Sequence, residues 1–292
     1  MLRILDAGAL TTVQDLGRPG HAHLGVPRSG ALDPAALRLG NRLVGNPESA
    51  AGLETTLTGV TFAATAGLRL AVTGAGCAVR VDGREQPWGT ALVVRAGAVV
   101  EVGAATEGLR SYVCVAGGVD ADPVLGSRST DLLSGLGPAV LRSGDELALG
   151  EVRGTAPSVE APRTRTGNVL RIDLGPRADW FTPASVAALD GATYVVAAAS
   201  NRIGLRLTGT ALERNRDGEL ATEPMVLGAV QVPPNGQPVV FLADHPTTGG
   251  YPVVGVVRAE DLAVCAQARP GDRLTLRVPA GSGAAPGRPP RS

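Results

Sequence analysis

Short valine-rich runs separated by glycine or proline recur along this chain and limit its fold more than any other feature. Their alternating apolar and polar residues are typical of strands that bury one face. The chain has 40 glycines and 22 prolines to supply the turns between them. The pattern therefore predicts a mainly β fold with two barrel-like units. The runs that carry this prediction are 68–72, 78–82, 91–95, 110–115, 169–174, 194–198, 226–232, 239–243 and 252–257.

A few short helices are expected beside the strands. Asp33 can cap a helix that has Pro34 at its first position and ends at Gly45. Two further helices are predicted, one from Thr182–Pro183 to about residue 189 and one over 259–268.

The length of 292 residues favours two domains, at about 150 residues per domain. Residues 154–168 are polar, contain proline and follow no pattern, so they are the predicted linker. We expect a first unit over 1–160 and a second over 168–278. The glycine-, proline- and arginine-rich tail 279–292 is predicted to be disordered.

All 27 basic residues are arginines, and this excludes every mechanism that needs a lysine. A Schiff base, a lysine-bound pyridoxal phosphate, a P-loop and a protein-kinase site are therefore ruled out. The 27 acidic residues balance the arginines, and only three tyrosines and three phenylalanines are present. This composition argues against nucleic-acid binding.

The cysteines and the hydropathy pattern predict a cytoplasmic protein without a membrane segment. Cys77, Cys114 and Cys265 form no CxxC pair, so neither a zinc site nor a disulfide framework is expected. The N-terminus lacks the apolar stretch of a signal peptide, and no apolar run approaches about 18 residues.

Polar groups in the first half gather beside turns. Asp15 and Arg18 are close enough in sequence to pair, or Arg18 could bind a carboxylate or phosphate. The loop 25–33 leads into a helix and resembles an anion-binding site. Capping of that helix explains the presence of Asp33 equally well. Residues 126–131 are a second candidate oxyanion loop. The segment Gly74-Ala75-Gly76 is interpreted as a turn because no helix follows it.

The richest cluster in the second half is 244–252, which supplies a carboxylate, an imidazole, two hydroxyls and two glycines. His245 can be either a structural or a catalytic histidine. Asn201 and Arg202 stand at a turn, while Glu223 and Gln231 flank a strand. The spacing of the three histidines does not indicate a metal site.

Several segments, in order, resemble the carboxyltransferase subdomain A/B family over about residues 1–278. They are TTVQDLGRPG (11–20), GVPRSGALD (25–33), NRLVGN–LETTL (41–57), VLGSRSTD (124–131), SNRIGLRLTG (200–209) and GAVQVPPNGQPVVFLADHPTTGGYP (228–252). The resemblance implies tandem cyclophilin-like β-barrels. It also implies partnership with two other proteins, a Kip inhibitor-like B subunit and an A subunit, in an ATP-dependent 5-oxoprolinase that opens 5-oxo-L-proline to L-glutamate. ATP with magnesium would be the co-substrate.

Two alternatives remain open at this point. Relatives in urea carboxylase transfer a carboxyl group from biotin to urea, and biotin is implied only for that alternative. The chain can instead be a non-catalytic partner of a kinase-inhibitor protein.

The resemblance and the residue chemistry together give a set of candidate site residues, expected in a groove where the first-half loops meet the 244–251 loop. The predicted anion-holding or acid–base residues are Arg18, Asp33, Arg202, Glu223, Asp244 and His245. The predicted substrate-binding residues are Gln14, Asp15, Ser29, Asn41, Glu54, Thr55, Asn201, Gln231, Thr247, Thr248 and Tyr251. No metal ligand is predicted.

Overall fold

The structure is a computed structural model that describes residues 1–155, 167–216, 218 and 220–279. These residues are mostly β, with a few short helices, as the sequence predicts. The chain divides into two compact units, Met1–Thr166 and Gly167–Ser292.

Two sequence predictions concern segments that the structure barely covers. Residues 156–166 of the predicted linker and residues 280–292 of the predicted disordered tail lie outside the described residues. Among the helices of the described residues, none is long and apolar enough to cross a membrane.

The first unit is built on a curled sheet of nine strands. They are β1 (Leu2–Asp6), β2 (Leu10–Gln14), β3 (Gly52–Thr56), β4 (Val60–Ala64), β5 (Leu68–Val81), β6 (Arg84–Gln86), β7 (Leu92–Val94), β8 (Val99–Val115) and β9 (Glu146–Leu147). The strand order is β2-β3-β8-β4-β1-β9, and β5 pairs with β6, β7 and β8. Apolar residues such as Phe62, Leu70 and Val113 are fully buried in its core.

The interpretation of Gly74-Ala75-Gly76 as a turn is wrong. They lie inside β5, which pairs antiparallel with β8, and the register shifts between Gly74 and Gly76. Gly74 has φ +83, and a Cβ there would lie 2.5 Å from the Arg110 carbonyl oxygen. The glycines therefore form bulges that let one long strand continue and bend, instead of ending it.

The first predicted helix is confirmed as α1 (Pro34–Leu43). The Asp33 side chain accepts a hydrogen bond from the Ala36 amide, and Pro34 occupies the first turn. The helix packs on the sheet through a second apolar cluster that contains Leu37, Tyr112 and Cys114.

Gly40 is the point of closest approach between α1 and the sheet. A Cβ added there would lie 2.6 Å from Cys114 Sγ and 3.0 Å from Thr73 Oγ1. In an exposed helix, Gly→Ala raises the free energy of unfolding. Here the overlap with Cys114 and Thr73 makes the same replacement destabilising. We expect Gly40→Ala to lower the free energy of unfolding by about 1–3 kcal/mol in urea denaturation.

A double-mutant cycle separates overlap from helix propensity. Cys114→Ala removes the nearest obstructing atom, so the pair Gly40→Ala/Cys114→Ala should lose less stability than the sum of the two single variants. Simple additivity would contradict the packing explanation.

The second unit is a closed barrel of seven strands with a separate two-stranded ribbon. Its strands are β10 (Val169–Leu174), β11 (Thr193–Val196), β12 (Gly204–Thr208), β13 (Glu223–Pro224), β14 (Ala229–Gln231), β15 (Val239–Phe241), β16 (Thr248–Gly249), β17 (Val253–Val257) and β18 (Arg273–Arg277). The barrel order is β10-β17-β14-β15-β12-β11-β18, and β13 pairs with β16. Parallel pairing of β10 with β18 closes the barrel.

The other two predicted helices are confirmed in the second unit. They are α2 (Pro183–Ala188) and α3 (Leu262–Gln267), which directly follows the 3-10 turn Ala259–Asp261. Further 3-10 turns span Ala22–Leu24 and Pro176–Trp180.

Asp261 ties this 3-10 turn to β10. It accepts hydrogen bonds from Arg171 Nε at 2.8 Å, Arg171 Nη2 at 2.7 Å and the Arg171 amide at 2.8 Å. The Arg171 side chain lowers the pKa of Asp261 below its ordinary value of 3.8, against the effect of burial. The stabilisation by this carboxylate is therefore complete above pH 3.8 and is lost as the pH falls through the lowered pKa.

We expect the difference in stability between wild type and Asp261→Asn to be largest at neutral pH and to shrink in acid. Thermal unfolding over a pH series would measure it. Glu260→Gln is the control, because Glu260 is largely exposed and lies 3.9 Å from Arg171 Nη2. A stability difference that stays constant as the pH falls would contradict a stabilising role of the Asp261 carboxylate.

Candidate functional site

The candidate residues of the first unit include a buried carboxylate at the end of β2. Asp15 Oδ1 accepts hydrogen bonds from Ser127 Oγ and Ser129 Oγ, each at 2.6 Å, and from the Gly17 amide at 2.7 Å. Its Oδ2 accepts from the Arg128 amide at 2.6 Å. The predicted oxyanion loop 126–131 thus binds an anion, and that anion is the chain's own Asp15 carboxylate.

Of the two roles that the sequence leaves open for Arg18, the pairing with Asp15 is wrong. Arg18 Nη1 lies 3.9 Å from Asp131 Oδ2, and both side chains have zero exposure. The guanidinium also donates to the carbonyl oxygens of Val124 and Ser129. Because all these partners are internal, the geometry does not support Arg18 as a holder of substrate phosphate.

Other predicted substrate-binding residues of this unit make internal hydrogen bonds. Gln14 Nε2 and Ser29 Oγ both donate to the Thr130 carbonyl oxygen, at 2.9 Å and 3.0 Å. Thr55 Oγ1 accepts from Thr11 Oγ1 at 3.0 Å. Asn41 Nδ2 donates to the Ala50 carbonyl oxygen at 2.8 Å, which fixes the turn after α1.

Glu54 on β3 lies in a second buried cluster. Its Oε2 accepts from the Leu32 amide at 2.9 Å and from the Tyr112 hydroxyl at 2.8 Å. Arg110 Nε lies 3.7 Å from Glu54 Oε1. The Tyr112 oxygen in turn accepts from the Asp33 amide at 2.8 Å. We call Leu32, Asp33, Glu54, Arg110 and Tyr112 the Glu54 cluster.

Burial, together with the nearby carboxylates of Glu54 and Asp33, raises the pKa of Tyr112 well above its ordinary value. The phenol therefore stays protonated, and its single proton points to Glu54. Sequence reasoning did not select Tyr112 or Arg110. The only available signal was their place in a valine-rich run predicted to be a strand.

In the second unit, Arg202 and Asp244 form a fully buried ion pair with two parallel hydrogen bonds. Arg202 Nε lies 2.9 Å from Asp244 Oδ2, and Arg202 Nη2 lies 3.0 Å from Oδ1. Neither side chain is exposed. Arg202 therefore neutralises a carboxylate of its own chain, and the structure does not support its predicted role as a phosphate holder.

His245 follows this pair and is mostly buried. Its ring stacks on Phe241 with centroids 6.1 Å apart, and Nδ1 lies 2.7 Å from the Pro246 carbonyl oxygen. Because a carbonyl only accepts, Nδ1 carries the proton in the neutral ring and Nε2 carries the lone pair. This is the tautomer in which Nε2 can act as a general base.

Strand β16 lies between His245 and Tyr251 in sequence, and its pairing with β13 brings two more candidates, Glu223 and Thr248, into one ribbon. Glu223 pairs with Gly249, and the Arg177 guanidinium donates to the Glu223 carboxylate. Thr248 pairs with Pro224, and the Thr247 carbonyl oxygen accepts from the Met225 amide.

Tyr251 follows β16, and its backbone contacts Gln231, the last residue of β14. Gln231 Nε2 donates to the Tyr251 carbonyl oxygen at 3.3 Å, and the half-exposed Tyr251 ring lies 5.9 Å from the Arg214 guanidinium carbon. Asn201 Oδ1 accepts from the amides of Ile203 and Gly204, so Asn201 shapes its own turn.

The structure thus gathers Gln14, Asp15, Arg18 and Ser29 around the loop 126–131 and gathers Asp33 and Glu54 in the Glu54 cluster, whereas Asn41 and Asn201 bind at turns of their own segments. Within the described ranges, no three His, Cys, Asp or Glu side chains are placed to hold a metal ion.

The curled sheet and the barrel are the fold of a carboxyltransferase-type β protein. The family model of the carboxyltransferase domain, subdomain A and B, matches residues 24–278. The chain belongs to this family.

Curated relatives fall in two groups. The chain is 41% identical over 273 residues to the C subunit of the Escherichia coli 5-oxoprolinase, covering 91% of this chain and 87% of that protein. It is 32% identical over 299 residues to urea amidolyase of Saccharomyces cerevisiae, of which the match covers only 16%.

Solved structures give the same fold. The crystal structure of TTHA0988 superposes with a TM-score of 0.86 at 36% identity, covering 94% of this chain and 55% of that one. The urea carboxylase of Kluyveromyces lactis gives a TM-score of 0.86 at 30% identity, covering 94% of this chain and 27% of that one. This chain therefore corresponds to about half or less of these crystallised chains.

Proposed function

We propose that this chain is the C subunit of a 5-oxoprolinase that, with the A and B subunits, hydrolyses 5-oxo-L-proline to L-glutamate. The observation that carries the proposal is the match to the Escherichia coli C subunit, which extends over 91% of this chain and 87% of that protein. The urea amidolyase match covers only 16% of that protein, so it supports a function for this chain less directly.

ATP with magnesium is the proposed co-substrate, because an unstrained lactam is a poor electrophile and phosphorylation of its oxygen would activate the carbon. Arg18 and Arg202 do not fit the role of phosphate ligands, since both guanidiniums are buried against carboxylates of this chain. The proposal keeps the cytoplasmic location that the sequence predicts.

The residue we assign to proton transfer is His245. Its Nδ1 proton is held by the Pro246 carbonyl oxygen, so Nε2 can take a proton from attacking water. The Arg202–Asp244 pair precedes the ring and fixes the backbone that carries it.

The test is co-expression of this chain with the A and B subunits, followed by measurement of ATP-dependent glutamate formation from 5-oxoproline. Each of the three proteins is omitted in turn as the control. Activity that needs all three supports the proposal. A stable complex that forms no glutamate, or full activity without this chain, would refute it.

A second candidate is a biotin-dependent carboxyltransferase acting on urea or a related amide. The family description and the urea amidolyase relatives favour it. The chain has no lysine, so biotin would be carried by another protein. Carboxylation of urea with a biotinylated carrier, in a complex that forms no glutamate, would select this candidate.

A further inference from the structure

The loop Ser29–Asp33 has a strained and tightly packed backbone. Ser29, which is not a glycine, has φ 49, and Gly30 follows with φ 96. A Cβ on Gly30 would lie 2.8 Å from the Gly17 amide nitrogen. Such conformations persist only where the surroundings impose them, and they concentrate at functional sites.

Hydrogen bonds hold this loop along its whole length. Ser29 Oγ donates to the Thr130 carbonyl oxygen, and the Ala31 amide donates to the Asp15 carbonyl oxygen at 2.9 Å. The next two amides, of Leu32 and Asp33, donate to Glu54 Oε2 and to the Tyr112 oxygen. The loop is therefore fixed at one end by Thr130 and Asp15 and at the other by Glu54 and Tyr112.

The hydrogen bonds in the Glu54 cluster run in one direction. Asp33 N–H donates to the Tyr112 oxygen, Tyr112 O–H donates to Glu54 Oε2, and Leu32 N–H donates to the same Oε2. One carboxylate thus binds two consecutive loop amides, one directly and one through the phenol. The two side chains involved, of Glu54 and Tyr112, are both buried.

We propose that Tyr112 and Glu54 are positioning residues, which hold the strained Ser29–Asp33 loop in the conformation that the reaction needs. Glu54 is then not a substrate ligand. The effect on kcat rests on the proposed 5-oxoprolinase function, whereas the role of Tyr112 and Glu54 in holding the loop does not.

The test compares two variants that each delete one buried tyrosine hydroxyl. Tyr112→Phe removes the acceptor of the Asp33 amide and a donor to Glu54. Tyr194→Phe is the matched control, because Tyr194 is buried in the second unit and its hydroxyl donates to the Thr210 carbonyl oxygen at 2.8 Å. Glu54→Gln is a second test variant.

The first readout is amide hydrogen exchange, which needs no activity. In Tyr112→Phe, we expect the Asp33 amide to exchange about tenfold faster, the ratio for one lost hydrogen bond. In Glu54→Gln, we expect faster exchange at Leu32 as well. Tyr194→Phe should leave both amides unchanged.

The second readout is steady-state kinetics of the reconstituted complex. We expect Tyr112→Phe to lower kcat about tenfold while KM for 5-oxoproline changes less than about twofold, because misplaced catalytic groups affect the transition state. Tyr194→Phe should match wild type in both constants.

The outcomes are separable. Unchanged exchange at Leu32 and Asp33, or faster exchange with wild-type kcat, would overturn the positioning role. A wild-type complex that forms no glutamate refutes the proposed function instead, and the exchange data alone then decide whether Glu54 and Tyr112 hold the loop.

Discussion

Replacing Asp244 with alanine is expected to lower the free energy of unfolding of the second unit by about 3–5 kcal/mol. The variant leaves the Arg202 guanidinium in a site where neither side chain is exposed, without the carboxylate that accepts two of its hydrogen bonds. An uncompensated buried charge is far more destabilising than a broken surface pair. Urea denaturation of the purified chain would measure the change.

Two further variants distinguish a buried charge from a general loss of packing. The double replacement Arg202→Met/Asp244→Leu removes both charges and keeps the volume, so it should recover most of the lost stability. Arg277→Ala is the surface control, because Arg277 and Asp190 are both half exposed and 3.7 Å apart, and it should change stability by less than about 1 kcal/mol. A loss in Asp244→Ala no larger than in Arg277→Ala would contradict the prediction.

The regular elements follow from local chemistry, so the sequence predicts them well. Asp33 and Pro34 mark the start of α1 because a cap and a fixed φ act within one turn of the chain. The valine-rich runs predict strands for the same reason. The error at Gly74–Gly76 has a tertiary cause, since only pairing with β8 makes these glycines part of a bulged strand.

The partners of the polar side chains could not be predicted, because they are distant in sequence. Asp15 and Ser129 are 114 residues apart, and Glu54 and Tyr112 are 58 apart. Hence Asp15 is one of the candidate partners that the sequence indicates for Arg18, whereas the fold brings a serine-rich loop to Asp15 and places Asp131 beside Arg18. Burial of Arg18 and Arg202 likewise depends on the folded core, which places both guanidiniums beside carboxylates of this chain.

The second large effect is expected at Asp15, whose carboxylate binds four donors of its own chain. Asp15→Ala should lower the free energy of unfolding by about 4 kcal/mol, because the hydroxyls of Ser127 and Ser129 and two amides lose a charged acceptor. The loop 126–131 would then lose the anion around which it is folded. Urea denaturation, with hydrogen exchange at the Arg128 amide, would measure both consequences.

Asparagine at the same position tests whether the negative charge itself is needed. Asp15→Asn keeps the shape, but its NH2 group faces at least one of the donors that the carboxylate accepts, so it should not restore wild-type stability. Asp120→Asn is the matched control, since the Asp120 side chain is more than half exposed and its carboxylate lies 3.4 Å from Arg128 Nη2. Wild-type stability of Asp15→Asn would show that shape alone holds the loop. Equal losses in Asp15→Ala and Asp120→Asn would show that the loop is not folded around this carboxylate at all.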